Sequence, residues 1–179
     1  MKTCGTTNPC NIVFFAGFFS SIIDVIAMRD LNAAIQAHPN MKLVSSQEAF
    51  YDTATAKQLA KNLLAQNRNI QVFATSADQM AKGVEQAVNE ANLTKRPEIT
   101  GAGAGAYGVD ATKAARWEGT FIALPYDEGY LGTRMAVRAA RGQRLDSSGI
   151  DPVARRRLPS FLTTENQAQF ANFVPQWAD

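Results

Sequence analysis

Five short apolar or β-branched runs punctuate the chain: NIVFFAG (11–17), KLVSS (42–46), NIQVFAT (69–75), PEITGAG (97–103) and GTFIALP (119–125). Between them, apolar residues return at helical spacing. Ala56, Leu59, Ala60, Leu63 and Leu64 follow the i, i+3, i+4, i+7, i+8 pattern of one buried helix face. Met80, Val84, Ala87, Val88 and Ala91 repeat it. Ile22, Ile23, Ile26 and Ala27 open an earlier helix that ends near His38-Pro39, and further helices are expected at about 109–117 and 127–141. Strand and helix alternate roughly every 25–30 residues, which predicts a mostly parallel five-stranded sheet with helices on both faces, an α/β/α three-layer sandwich. Ligands bind such sheets at the carboxyl ends of the strands. The loops to watch are therefore Gly17–Ser20, Ser46–Tyr51, Thr75–Gln79, Gly101–Gly108 and Leu124–Asp127.

The pattern also divides the chain. Residues 1–10 form an N-terminal extension, 11–142 the α/β ligand-binding lobe, and 143–179 a C-terminal arm and tail rich in Gly, Pro, Ser and Arg at its start. A length of 179 residues suits one domain with an appendage. A net charge of +2 gives no electrostatic footprint for nucleic acid, and Arg155-Arg156-Arg157 reads as a solvated basic turn. The apolar opening does not read as a signal peptide: Lys2 is its only positive charge before the run, Asp24 interrupts it, and no A-x-A site follows. It is also too broken for a membrane span. Cys4 and Cys10 have neither zinc-ligand partners nor CxxC spacing; a local disulfide and two incidental thiols both fit.

Catalytic chemistry is sparse. The single histidine, His38, falls at a helix end away from the ligand-facing loops, and neither a Ser/His/Asp set nor a G-x-S-x-G elbow can be assembled. No residues have metal-ligand spacing, and no cofactor is implied. Asp127-Glu128 after Pro125 supply helix N-terminal charge. Gly103 to Gly108 spell G-x-G-x-x-G between a strand and a helix, but after the fourth strand rather than the first, with no acid at the end of the next strand. A nucleotide-binding enzyme using the Gly101–Gly108 loop is thus an alternative, ranked below a loop that leaves room for another ligand.

Polar and aromatic groups gather near the same loops. Phe18 and Phe19 follow the first strand, Arg29 lies in the first helix, Tyr51 follows the second strand, and Asp78 is placed to cap the helix after the third. Tyr107 and Tyr126 flank the last two loops. Aromatic faces beside Arg and Asp suit a small polyhydroxy ligand, whose ring faces are apolar and whose edge is hydroxylated.

The order of these pieces resembles the second lobe of type I periplasmic solute-binding proteins, the ribose-binding-protein-like family. VFATSADQMAKG resembles an apolar strand followed by N-D-x-M-A-x-G, RDLNAAIQAHPNMKLV resembles the family's Arg-headed helix, and FYDTATAKQLAKNLLAQN its aromatic–Asp helix start. ITGAGAGAYGVDATKAARWEGTFIALP resembles its glycine turn, helix and strand, and PSFLTTENQAQF its closing T-x-E-N. The resemblance implies a non-enzymatic binder of a sugar or polyol that serves an ABC importer permease, and a periplasmic location; without a convincing signal peptide, the cytoplasm is the other location. It casts Arg29 as a donor to ligand hydroxyls, Phe18 and Tyr51 as stacking rings, and Asp78 as a cap that also accepts from ligand. It places Ala77 where the family has a sugar-contacting Asn, Gly103 where it has an Asp, and Ala123 where it has a Gln. Pairing with a homodimer partner or a missing lobe is expected, because the 127–141 helix and the aromatic tail (Phe161, Phe170, Phe173, Trp177) lack a first lobe to cover them. A dimerising effector domain of the lac-repressor-like class is the remaining alternative.

Overall fold

The computed structural model describes residues 2–145 and 151–178. Five parallel strands, β1 (Cys10–Ala16), β2 (Met41–Glu48), β3 (Val72–Thr75), β4 (Glu98–Gly103) and β5 (Gly119–Ile122), lie in the order β2-β1-β3-β4-β5. A sixth strand beyond the five expected, β6 (Phe161–Thr163), pairs antiparallel with β5. The helices are α1 (Lys2–Thr6), α2 (Ile22–Ala37), α3 (Thr53–Gln66), α4 (Asp78–Glu90), α5 (Ala106–Lys113), α6 (Pro125–Ala140) and α7 (Pro152–Arg155), followed by a 3₁₀ turn at Gln167–Phe170. β1 takes the interior because CNIVFFA is apolar at nearly every position, and all seven residues are buried. The edge strand β2 alternates half-buried and exposed residues over its first half.

One face is closed tightly by α3, α4 and α5. Val13, Phe15, Phe73 and Ile99 of the sheet pack with Ala56, Ala60, Leu64, Met80, Val84, Val88, Ala111 and Trp117. The helix patterns read from the sequence pack here. A buried polar knot locks this layer: Glu85, at 3% exposure, accepts from Trp117 Nε1 (2.8 Å), Tyr107 Oη (3.1 Å) and Arg116 Nε (3.0 Å). A buried carboxylate is tolerated only with such pairing.

The opposite face is closed less completely. Cys4, Cys10, Ile12 and Val72 pack with Leu31, Ile35 and Met41, and a Cys4–Cys10 disulfide pins α1 to the start of β1. The N-terminal half of α2 does not join this core. Ile22, Ile23 and Ile26, expected on a buried face, are 70%, 65% and 42% exposed, and Asp24 is the helix's one buried residue.

The C-terminal segment departs from the expected uncovered arm. Leu162, Phe170 and Phe173 are buried with Ala104, Val109, Ile122 and Leu124, extending the core past β5. α6 does remain apart, with no buried residue among its 16. His38 caps the carboxyl end of α2 through its backbone N–H, as its position suggested.

Candidate functional site

The sheet changes winding direction between β1 and β3, since β1 is followed by β2 on one side and by β3 on the other. The carboxyl ends of these two strands form the crevice in which open α/β sheets place ligands. Three loops meet there. Gly17 N–H donates to Ser76 Oγ (3.1 Å), joining the β1 and β3 loops. Asp24, fully buried, accepts from Gly17 N (3.1 Å), Phe18 N (3.0 Å) and Tyr51 Oη (2.7 Å), adding the β2 loop. Glu48 closes the edge by accepting from Phe19 N at 2.6 Å.

This arrangement sets the electrostatics. Burial by itself would push the Asp24 carboxyl up, but hydrogen bonds from Ser76, the Phe18 amide, Tyr51 and the Gly17 amide outweigh it and hold the group below its ordinary range. Burial raises the Tyr51 phenol, and the hydrogen bond to Asp24 and the charge of Asp24 raise it further. Asp24 is therefore an anion and Tyr51 a neutral donor across the physiological range.

The backbone is bent to hold the aromatic rings here. Phe50 and Tyr51 both take left-handed conformations (φ 56° and 54°), costing of order 1 kcal/mol or more apiece. The Tyr51 ring lies flat against Gly17, where a Cβ would sit 2.0 Å from its Cζ, so glycine is required at 17. Phe18 packs edge-on to Phe50 (centroids 5.5 Å apart) and Tyr51 (5.7 Å), while Phe18 and Phe50 remain 43% and 51% exposed. The result is an aromatic wall at the end of β1 and β2.

Asp78 has a different role from the one expected. It is the first residue of α4 rather than its cap, a place taken by Ala77 with no side-chain cap bond. Its buried carboxylate turns inward, accepting from Gly105 N (2.9 Å) and Thr120 Oγ1 (2.7 Å), and so ties the β3, β4 and β5 ends together. Gly103 and Ala104 are also left-handed (φ 128° and 50°). The glycine loop offers little to a phosphate: Gly105 N–H is spent on Asp78, and Ala106 N–H donates to Trp177 O (3.1 Å).

Phe18, Tyr51, Ala77 and Gly103 thus lie along the carboxyl ends of adjacent strands, with Asp78 beneath them. Arg29 does not join them. It sits about two turns into α2 with its guanidinium on the neighbouring Asp30 (2.8 Å), and the pair's side chains are 71% and 62% exposed. The reason lies in the helix phase: α2 turns Asp24 inward, and five residues later Arg29 points away from the sheet. Sequence reasoning missed Asp24, which looked like a mere interruption of an apolar run. That interruption, a lone carboxylate in the first turn of an otherwise apolar helix, was the available signal. Trp177 was missed as well; it donates from Nε1 to Gly103 O (2.9 Å).

Surface grooves of about 290–490 Å³ lie elsewhere, the largest along α6 beside Tyr130, Arg134 and Arg138. Among the described residues no cluster of His, Cys, Asp and Glu could hold a metal, and no helix is long and apolar enough to cross a membrane.

Residues 1–144 match the model of the periplasmic binding protein domain. The D-allose-binding periplasmic protein of Escherichia coli K12 is 30% identical over 112 residues, covering 63% of this chain and 36% of the relative. The ribose import binding protein RbsB of Haemophilus influenzae is 31% identical over 114 residues, covering 64% of this chain and 38% of the relative. The chain thus spans well under half the length of these curated relatives. Among solved structures, an ABC transporter periplasmic solute-binding protein from Actinobacillus succinogenes with bound D-allose superposes with a TM-score of 0.80 at 21% identity, over 93% of this chain and 57% of that one. A solute-binding protein from Bacillus halodurans with bound myo-inositol gives 0.79 at 20% identity, over 90% of this chain and 54% of that one. These two share the fold.

Proposed function

Because the chain belongs to the periplasmic binding protein domain family, we propose that it is a solute-binding protein whose carboxyl-end mouth takes a sugar or polyol for an ABC-type importer. One observation carries this reading: the aromatic wall of exposed Phe18 and Phe50 with half-buried Tyr51, held at the strand-order switch by strained backbone and a buried Asp24. Such a wall suits the apolar face of a sugar ring. The names of the relatives, which refer to D-allose and ribose, support the ligand class. In this reading Phe18 and Tyr51 stack on the ligand, Ala77 and Gly103 line the floor, and Asp24 and Asp78 hold the loops.

The location follows the same reasoning. A buried Cys4–Cys10 disulfide persists in an oxidising compartment, which supports the periplasm. Partners beyond the ligand are a permease and a covering surface for α6, supplied by a second copy or by another lobe. α6 buries none of its residues and leaves Tyr126, Tyr130 and Val137 exposed, a surface of the kind that a partner covers.

The test is a thermal-shift panel of pentoses, hexoses and polyols on the full chain. A saturable rise in melting temperature that Tyr51→Ala removes and Arg29→Ala leaves intact supports the reading. No rise with any sugar or polyol contradicts it.

A further inference from the structure

One face of the sheet runs out of helix before it runs out of strands. The crossover from β1 to β2 runs one way along the sheet, and those through α3, α4 and α5 run the other way. Right-handed connections therefore put α2 on one face and the other three helices on the opposite one. Phe73 and Ile99 point into the face packed by α3 and α4. Side chains alternate along a strand, so Ala74, Thr100, Ala102, Phe121 and Phe161 share the α2 face. They form one row across β3, β4, β5 and β6, Ala74 pairing with Thr100, Ala102 with Phe121 and Phe121 with Phe161. Cover on this face ends near β3, where Cys4 and the later turns of α2 close over Ile12 and Val72. Among the described residues the helices packed on β4, β5 and β6 are α4 and α5, both on the opposite face. Phe121 is accordingly 49% exposed although its strand is interior, and the rest of the row is half-buried and uncharged.

α6 shows the converse, a helix without a sheet. Tyr126, Gly129, Tyr130, Thr133, Val137 and Ala140 recur at i, i+3, i+4, i+7, i+11 and i+14, an uncharged stripe of the kind that packs on a sheet, and every one is exposed. A Cβ added at Gly129 would meet nothing within 4 Å. The helix is held away from its own sheet. Only Ala123 and buried Leu124 join it to β5, and its first turn is fixed by Gln176 Oε1, which accepts from Tyr126 N (2.9 Å) and Asp127 N (3.2 Å), and by Arg156 Nη2, which donates to Asp127 Oδ1 (2.9 Å).

We propose that two copies of this chain exchange α6 about a two-fold axis, the uncharged stripe of each helix covering the Phe121 row of the other copy. Each chain carries one bare helix and one bare sheet face, so the exchange is reciprocal and closes at two. A 16-residue helix is about 24 Å long and 10 Å wide. Two such contacts, each buried on both partners, remove about 1,000 Å² from water, the size at which interfaces become stable. α6 leaves at the carboxyl end of β5, so the copy that it reaches stands beyond that end, and the two-fold axis turns the two mouths toward each other. The exchange rests on the two bare surfaces; that the facing mouths enclose one ligand between them rests on the sugar-binding reading above.

The test is sedimentation of the full chain at micromolar concentration, with one variant on each surface. The proposal predicts a dimer, weakened about a hundredfold or more by Val137→Glu and by Phe121→Glu alike, since each buries an unpaired charge, with far-UV circular dichroism unchanged. A mixture of Val137→Cys and Phe121→Cys chains should join through a short bis-maleimide into a mixed dimer, and neither variant should join to itself. A monomeric wild type, a dimer that withstands either charge, or Val137→Cys joining to itself, as two α6 helices packed together would, overturns the proposal. An intact dimer that no sugar or polyol stabilises supports the exchange and contradicts the sugar-binding reading, so the two fail separately.

Discussion

Helices α4 and α2 cover opposite faces of one sheet and finish very differently. α4 buries eight of its 13 residues, including Met80, Val84 and Val88, although its sequence carries Asp, Gln, Lys, Glu and Asn throughout. α2 opens with the more apolar stretch IIDVIA and buries only Asp24. Apolarity therefore does not decide burial here; the supply of neighbours does. α4 lies between α3, α5 and the sheet, whereas the first turns of α2 stand beside the ligand end with little laid over them. Ile22, Ile23, Val25 and Ile26, with the bare helix α6, are surfaces of the kind that a partner covers.

The contrast can be broken by matched truncations. Met80→Ala should cost about 2–5 kcal/mol, as for a buried methionine that leaves a cavity, while Ile23→Ala should change stability by less than about 0.5 kcal/mol. Urea midpoints measure both. Equal losses would mean that α2 is as well packed as α4. Next in size is the clamp between the strand ends: Asp78→Ala strands Gly105 N–H and the Thr120 hydroxyl, at a cost of about 2–3 kcal/mol.

Tyr51→Phe removes one half-buried hydrogen bond and should cost about 1 kcal/mol near neutral pH. Its pH dependence has a definite sign. Asp24 titrates below its ordinary 3.8, so its contribution is present above that value and lost as the pH falls through the lowered one. Tyr51 titrates above its ordinary 10.0, so its contribution is present below that value and lost as the pH rises through the raised one. Wild type should weaken on both limbs, and Tyr51→Phe should lose the alkaline one. The smallest effect on stability is expected in α6: Tyr130→Ser with Leu131→Ser should alter self-association or partner binding in sedimentation while changing the unfolding free energy by less than about 0.5 kcal/mol.

The sheet, its five parallel strands and the faces of α3 and α4 were legible because period and burial agree there. β6 was not: FLT is three residues long, and its pairing with β5 is set by tertiary contact. The candidate site was half legible. Phe18 and Tyr51 follow strands, so topology alone delivers them to the mouth. Arg29 misled because a helix carries side chains around its axis, and the turn that buries Asp24 sends Arg29 outward. Asp78 misled because its usual local role, capping, competes with distant partners at Gly105 and Thr120 that lie 27 and 42 residues away. Trp177 gave no signal of its own, since a tail residue 74 positions from Gly103 meets it only in the folded chain.

The most direct test of the account is an amide NMR titration of the full chain with whichever sugar or polyol gives the largest thermal shift. The account predicts perturbations at Gly17–Phe19, Phe50–Tyr51, Ser76–Ala77 and Gly103–Ala106, together with the Trp177 indole, and none at Arg68–Gln71 or Leu93–Arg96 at the other end of the strands. Perturbations confined to that opposite end, or to the α6 groove, would contradict it.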